Sequence, residues 1–233
     1  MILRSRAVLF LVSCLTACLA AQLAFASETR VGEAVVIQND VVRVAAEKTS
    51  PVNVGDSMLR DEVVRTGNDS AARFVMADST NLSIGPSATI KLDRTVFNDE
   101  HSYKDIAVRL TSGAFRFVTG HSEKTAYKIT TPLATIGVRG TILDILSQRG
   151  SSTVVLQEGA ASVCTLSYQC IQLTQPGDTA IITLTNGKTT IQKSSNPPWT
   201  FASTCAAAAG ICTVTNFADA GPTDDPNAML CGR

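Results

Sequence analysis

Residues that commonly perform chemistry in enzymes are few and scattered in this sequence. The two histidines, His101 and His121, both stand in polar stretches typical of solvated turns. The acidic pairs 99–100 and 224–225 lie in loop-like segments, where neighbouring side chains on an extended chain point apart. No grouping of His, Cys and carboxylates has metal-site spacing, and neither a G-x-S-x-G elbow nor a phosphate-binding glycine loop occurs. The sequence therefore predicts a non-enzymatic protein without a metal or cofactor.

Cysteine is the reactive residue with an informative pattern. Five of the seven cysteines lie in the last 70 residues: Cys164, Cys170, Cys205, Cys212 and Cys231. The stretches 159–164 and 170–173 are typical of two strands joined by an ordinary hairpin loop. Cys164 and Cys170 would then face each other within disulfide range. We expect this disulfide to fix a loop that presents Leu166 and Tyr168, the first candidate contact surface.

A second disulfide, Cys205–Cys212, is predicted across an alanine-rich turn and leaves Cys231 odd. Two alternatives stay open at this point. Cys231 could pair with Cys205 or Cys212 instead, or all five cysteines could stay reduced.

The first 26 residues have the pattern of an export signal. Two arginines precede an uncharged run over 7–21, and Ala24-Phe25-Ala26 has the small-x-small form of a signal-peptidase site. We expect cleavage after Ala26 and a periplasmic or secreted protein, in which disulfides are permitted. Two alternatives remain. One is acylation of Cys18 in a lipobox-like Leu-Thr-Ala-Cys, and the other is an uncleaved membrane anchor.

Composition narrows the class of protein further. The chain has 233 residues with 20 basic and 20 acidic side chains, so removal of the leader with its two arginines leaves a net charge of −2. Because phosphate contacts need a surplus of Lys and Arg, nucleic acid is not an expected partner. A hydrophobic content of 45%, together with 27 threonines that suit pleated surfaces, favours an exported β protein over a disordered one.

Short runs of alternating apolar and polar residues, separated by turn residues, predict an all-β fold from residue 31 onward. The clearest runs are 41–44, 73–76, 82–84, 88–92, 108–110, 115–117 and 127–129. A weak repeat places glycine before three strands, at Gly32, Gly113 and Gly159, and a Gly-Asp step follows the first and third copies. Repeated units of this kind favour an elongated β-solenoid or β-roll, or a sandwich-like domain.

The composition changes after Lys193, where residues 194–198 resemble a linker. We predict a leader over 1–26, a β domain over 27–193 and a short irregular C-terminal tail over 194–233. The tail is too small to build a core alone. It is expected either to dock on the sheet through Trp199 and Phe201 or to remain mobile.

The strongest local signature spans residues 131–141. Its motif residues are Thr131, Pro132, Gly137, Arg139, Gly140 and Thr141. Seven further short motifs follow a fixed order over residues 31–185: Val31-Gly32, Gly55-Asp56, Arg65-Thr66-Gly67, 85–88, 110–113, 155–159 and Gly177-Asp178. The ordered set resembles the FecR domain family, which implies a β-rich extracytoplasmic module.

The family's best-known role is not carried over to this sequence. The family's best-known members are inner-membrane regulators that signal to a cytoplasmic sigma factor through a helical segment ahead of a membrane span. Only six residues precede the hydrophobic run here, so we expect no direct contact with a sigma factor. Asp78-Ser79-Thr80 also replaces the family's more usual Asp-Gly-Ser, which predicts a looser turn or one of another type.

Residues of the 131–141 motif have expected physical roles. Pro132 lacks an amide donor and holds Thr131 extended, which marks the entrance of a strand. Gly137 and Gly140 are expected to allow a close backbone approach or a positive φ.

Arg139 has two interpretations. The structural one pairs its guanidinium with a carboxylate, Asp144 or Glu158. The functional one makes Arg139 part of an anion-binding or partner-binding site.

The function that these patterns favour is a protein–protein interaction or sensing scaffold in the bacterial cell envelope, with an envelope protein as partner. A glycan-binding or cell-wall-binding module is the alternative, and a hydrolase ranks third. The aromatic residues that could stack on sugars are few and dispersed: Tyr103, Tyr127, Tyr168 and Trp199.

Overall fold

The computed structural model describes residues 30–45, 48–99, 102–122 and 127–207. The leader, His101, Cys212 and Cys231 lie outside these ranges. Within them the strands are β1 (Arg30–Gln38), β2 (Val41–Ala45), β3 (Lys48–Pro51), β4 (Ser57–Leu59), β5 (Val63–Thr66), β6 (Ala71–Met76), β7 (Asn81–Ile84), β8 (Thr89–Asp99), β9 (Ser102–Val118), β10 (Tyr127–Thr130), β11 (Ala134–Gln148), β12 (Ser151–Thr165), β13 (Cys170–Leu173), β14 (Thr179–Thr185) and β15 (Lys188–Ser194). One helix, α1 (Phe201–Ala207), follows β15. The prediction of an all-β fold with a short tail is confirmed.

All the described strands join one large open sheet. Its main path runs β15-β14-β12-β11-β10-β9-β7-β6-β1-β4, while β13, β2, β3, β5 and β8 pair beside this path. Among the described pairs, β9 and β10 are parallel and the rest are antiparallel. Hairpins such as β8–β9, β11–β12 and β14–β15 therefore build much of the sheet from neighbours in sequence.

Three long strands change partners at glycines. β9 pairs with β8 up to Ser112, and from Gly113 onward it pairs with β11. β11 pairs with β10 before Gly140 and with β9 after it, and the second neighbour of β12 changes from β14 to β13 across Gly159. These three glycines have φ values of 103°, 59° and 82°. The runs predicted at 108–110 and 115–117 are thus halves of one bent strand.

The bend at Gly159 leaves no room for a side chain. A Cβ atom added there would lie 1.8 Å from the carbonyl oxygen of Gly140 on the neighbouring strand. The positive φ of Gly140 confirms the expectation for that residue. The expectation for Gly137 is wrong, because its φ is not positive and a Cβ atom added there would meet nothing within 4 Å.

The two faces of the sheet pack differently. One face carries a continuous apolar core, whose largest buried side chains include Phe74, Phe115, Phe117, Leu82 and Ile90. The side chain of Ala114 points to the opposite face of the sheet from that of Phe115, because successive side chains alternate across a strand. It forms a second, smaller cluster with Ala71 and Phe201, against which Trp199 and Leu146 pack. We call residues 195–207, which bring Phe201 to this outer face, the strap. Docking of the tail through Trp199 and Phe201 is confirmed over these residues.

The two Gly-Asp steps are equivalent in structure. Ala34 accepts a hydrogen bond from the amide of Gly55 and donates one to the carbonyl of Asp56. Leu156 makes the same two bonds with Gly177 and Asp178. Ala34 and Leu156 each precede the turn glycine by the same spacing in the sequence. The repeat predicted from Gly32 and Gly159 is therefore set in the wrong register, although its Gly-Asp turns correspond.

A cation completes each of these turns. Asp56 Oδ2 accepts from the amide of Asn53 and lies 3.3 Å from Nη2 of Arg43. Asp178 Oδ2 likewise accepts from two backbone amides and lies 2.7 Å from Nζ of Lys193. The hydrogen bond from Lys193 holds the pKa of Asp178 below its usual range.

Candidate functional site

The Thr131-Pro132 step forms a tight turn at the entrance of β11. The amide of Thr131 donates to the carbonyl of Ala134, and its buried Oγ1 accepts from the amide of Ala134 at 3.0 Å and from Ser152 Oγ at 3.0 Å. Pro132 stays exposed at the tip of the turn. The predicted strand entrance is confirmed, and the threonine hydroxyl is what secures it.

The loop between β12 and β13 lies close to this turn, because the end of β12 pairs with the start of β11. Cys164 and Cys170 are register partners and form a disulfide, with their Cα atoms 4.1 Å apart. Thr165 adds a second closure, since its carbonyl accepts from the amide of Tyr168 and its Oγ1 accepts from the amide of Gln169. Leu166 and Tyr168 are 62% and 90% exposed on this closed loop. The predicted disulfide and the predicted exposure of this pair are confirmed.

A groove of about 510 Å³ joins the turn to the loop. Its lining consists of Arg109, Thr111, Thr130, Thr131, Pro132, Thr135 and Leu166. The structure therefore brings together two motif residues and one candidate contact residue that the sequence places in separate regions. The groove offers threonine hydroxyls, which donate and accept hydrogen bonds, beside two exposed apolar side chains.

The other motif residues lie along β11, away from the groove lining. Thr141 is buried, and its backbone exchanges hydrogen bonds with Thr119. Arg139 is exposed and forms no ion pair with any residue that the structure describes. The predicted pairing of Arg139 with Asp144 or Glu158 is wrong, because Arg139 and Asp144 lie on opposite sides of the bend at Gly140.

Asp144 is instead the centre of a buried polar cluster on the outer face. Its side chain is fully buried and takes two hydrogen bonds from Arg116, at 2.6 and 2.9 Å. Gln157 Nε2 and the backbone amide of Phe201 donate to the same carboxylate at 2.9 and 3.0 Å. The Arg116 guanidinium also lies 5.8 Å from the centroid of the Phe201 ring. The carboxylate thus ties β9, β11, β12 and the strap together.

A local pattern in the sequence identifies both members of this ion pair as unusual. Arg116 stands between two phenylalanines, and Asp144 stands between Leu143 and Ile145. On strands of alternating residues, each charge must face away from the core. The pairing itself depends on strand register, since Arg116 and Asp144 are 28 residues apart and meet through the β9–β11 ladder.

A second buried polar cluster surrounds Tyr127 on the core side. Its hydroxyl donates to Asp78 Oδ2 at 2.6 Å and accepts from the amide of Ser122 at 3.1 Å. Burial, followed by the hydrogen bond to Asp78, raises the pKa of Tyr127 to about 12. Ser79 in the adjacent turn has a φ of 66°, the backbone conformation that a glycine adopts readily. Ser79 therefore holds a backbone conformation that favours glycine, the residue that the resemblance implies at this position.

Replacing Tyr127 with phenylalanine is expected to lower the free energy of unfolding by about 1–3 kcal/mol near neutral pH, because Asp78 Oδ2 and the Ser122 amide each lose a hydrogen bond to the Tyr127 hydroxyl. The raised pKa of Tyr127 favours folding below its unfolded value of about 10, and that contribution is lost as the pH rises from 10 to 12. The difference between the two proteins should therefore shrink by about 2 kcal/mol over this window. Urea unfolding at stepped pH measures it.

The matched control is Tyr168→Phe, which changes an exposed ring. Its unfolding curve should follow that of the unaltered protein at every pH. Parallel pH profiles for Tyr127→Phe and the unaltered protein would contradict the assigned role of the Tyr127 hydroxyl.

The part of the chain that the structure describes contains one histidine, His121. His121 is exposed, and its backbone amide donates to the carbonyl of Asp78. No group of three His, Cys, Asp or Glu side chains that could hold a metal ion occurs among the described residues. In the same residues, no helix has the length and apolar character needed to cross a membrane.

Comparison with known families confirms the resemblance found in the sequence. The family model described as FecR protein matches residues 62–162. The match extends from the residue before β5 into β12, and it contains the whole 131–141 motif. Leu166, Tyr168 and the strap lie outside it.

Comparison with solved structures gives two crystal structures of a "putative anti-sigma factor" from Parabacteroides distasonis, at 1.65 and 2.50 Å resolution. They are 16% and 17% identical to this chain, with TM-scores of 0.47 and 0.49. Each alignment covers 58% of this chain and 60% of the other, so this chain spans about three fifths of that protein's length. A search of the curated proteins found no match.

Proposed function

We propose that this protein is an exported, non-enzymatic FecR-like β domain that binds a partner protein in the bacterial cell envelope, as an interaction or sensing scaffold. The observation that carries the proposal is the pair of exposed side chains, Leu166 and Tyr168, on a loop closed by a disulfide. Ordering a loop before binding reduces the entropy that association costs. A fixed, exposed apolar pair is therefore better suited to contact than to solvation.

The surroundings of the loop support a protein partner. Pro132 and Leu166 line the groove beside threonine hydroxyls, which gives apolar contacts together with hydrogen-bonding groups. Tyrosine is enriched at interaction hot spots because its ring packs while its hydroxyl stays wet. Tyr168 is the most exposed of the large hydrophobic side chains that the structure describes.

Export is supported by the leader over residues 1–26 and by the disulfide, which forms in oxidising compartments. The measurement is the intact mass of the protein isolated from the envelope or medium. Cleavage after Ala26 is expected. A mass that retains the leader, or an acylated Cys18, would overturn this part of the proposal.

The contact is tested with the double variant Leu166→Ser/Tyr168→Ser. A photo-reactive amino acid is placed at Ser167, between the two residues. With Leu166 and Tyr168 retained, this protein should cross-link one discrete envelope protein. The double variant should lose most of that product. Val54→Ser is the matched control, because Val54 is similarly exposed, at 63%, on the Asn53–Asp56 turn.

Two outcomes would overturn the assignment. Equal cross-linking by the double variant would place the contact elsewhere. Binding to an envelope polysaccharide that is lost with Tyr168→Ser, without a protein product, would favour the glycan-binding alternative. Since all three altered side chains are exposed, the circular dichroism of the variants should match that of the unaltered protein.

A further inference from the structure

Register places a basic diagonal across the outer face of β9, β10 and β11. Arg109 on β9 pairs with Thr130 on β10, and two residues earlier on β10 is Lys128, which pairs with Gly137 on β11. Two residues beyond Gly137 is Arg139. Side chains two apart on a strand share a face, so these three cations lie on one surface. We call Arg109, Lys128 and Arg139 the basic stripe.

The stripe has regular spacing. Each step moves one strand across, about 4.8 Å, and two residues along, about 6.7 Å. Successive backbone positions on the stripe are therefore about 8 Å apart. All three residues are exposed. The charged groups of Lys128 and Arg139 form no ion pair with any described residue, and the chain as a whole has no basic excess.

The surface around Lys128 and Arg139 is open where the structure describes it. The stripe's neighbours in register on β9, β11 and β12 include the small residues Ala107, Gly137, Ala160 and Ser162, while Lys91 on β8 is the register partner of Arg109. A Cβ atom added at Gly137 would meet nothing within 4 Å, so the backbone beside Lys128 and Arg139 is open to solvent. An extended chain could lie along Lys128 and Arg139 against these small residues of the described surface.

The stripe is also continuous with the groove, because Arg109 belongs to both. Carboxylates on alternate residues of an extended peptide lie about 6.7 Å apart, close to the spacing of the stripe and within the reach of Lys and Arg side chains. An apolar residue beyond them would reach Pro132 and Leu166 in the groove.

We propose that the basic stripe binds an extended acidic segment of the partner protein, with carboxylates at alternate positions and an apolar residue next to them for the groove. The proposal rests on the proposed function, since it assigns a chemistry to the same partner. It also gives Arg139 of the FecR-like motif a role in recognition, in place of the internal ion pair that the sequence predicts.

The test measures fluorescence anisotropy of a fluorescein-labelled heptapeptide that alternates glutamate and serine, titrated with the full exported chain. Binding should weaken clearly between about 50 and 200 mM salt, because exposed charges are screened. Lys128→Gln/Arg139→Gln should lower affinity about five- to tenfold. Lys48→Gln/Lys188→Gln removes the same charge from exposed residues on β3 and β15, and it should leave affinity within about twofold.

Three outcomes would overturn the stripe. The peptide could fail to bind, it could bind both double variants equally, or a glutamine–serine peptide could bind as well as the acidic one. Binding of polygalacturonate but not of the peptide would assign the stripe to an anionic glycan instead. Leu166→Ser/Tyr168→Ser should not alter binding of this peptide, which has no apolar residue, so failure of the stripe and failure of the contact loop remain distinguishable.

Discussion

Replacing Asp144 with alanine is expected to lower the free energy of unfolding by about 3–5 kcal/mol, the typical cost of removing one member of a buried ion pair. Arg116 would lose both hydrogen bonds to the carboxylate while staying largely buried. Gln157 and the amide of Phe201 would lose their acceptor in the same step. Urea unfolding followed by far-ultraviolet circular dichroism measures the effect.

Two further variants define the cause. Glu158→Ala removes an exposed carboxylate from the neighbouring strand and should change stability by less than about 0.5 kcal/mol. Replacing the pair together, with Arg116→Met and Asp144→Leu, should cost less than Asp144→Ala alone, since no buried charge is then left unpaired. If the double replacement proved the more damaging, the ion pair would not be the origin of the loss.

Gly159→Ala is expected to destabilise the protein by about 2–5 kcal/mol or to prevent folding. The added methyl group would overlap the carbonyl oxygen of Gly140, and both groups belong to backbone that cannot rotate away. A positive φ adds about 1–2 kcal/mol for any side chain, and forced packing adds about 1–3 kcal/mol. Thermal unfolding, or the soluble yield if no folded protein forms, is the measurement.

Two other glycines separate these contributions. Gly187 has a φ of 77° with nothing within 4 Å of an added Cβ atom, so Gly187→Ala should show the backbone cost alone, about 1–2 kcal/mol. Gly137 has neither a positive φ nor a close neighbour, so Gly137→Ala should be nearly neutral. Equal losses at residues 159 and 187 would show that the contact with Gly140 is unimportant.

Features set by local sequence were predictable. Alternation of apolar and polar residues located the strands, because one face of each is buried in the core. The disulfide followed from hairpin length, since Cys164 and Cys170 lie across the same two strands whatever the rest of the sheet does. Pro132 likewise marked the entrance of β11, where a residue without an amide donor is tolerated.

Features set by the pairing of distant strands were not predictable. The partner of Asp144 depends on the register between β9 and β11, so an arginine that is near in sequence, Arg139, does not reach it. The register of the repeat cannot be found from glycine positions alone. The equivalent residues, Ala34 and Leu156, differ in type but make the same two hydrogen bonds, each with its own Gly-Asp turn. The groove is lined by residues of β9, β10, β11 and the disulfide loop, so no single segment of the sequence predicts it.

The strap has a spectroscopic consequence. Trp199 is the single tryptophan of the chain, and its indole donates to Thr204 within the strap while packing on the outer-face cluster. Intrinsic tryptophan emission therefore reports only on this segment, whereas far-ultraviolet circular dichroism reports on the sheet. Release of the strap alone would shift the emission to longer wavelength and leave the dichroism unchanged. The molecule thus carries its own optical label for a local opening that is distinct from global unfolding.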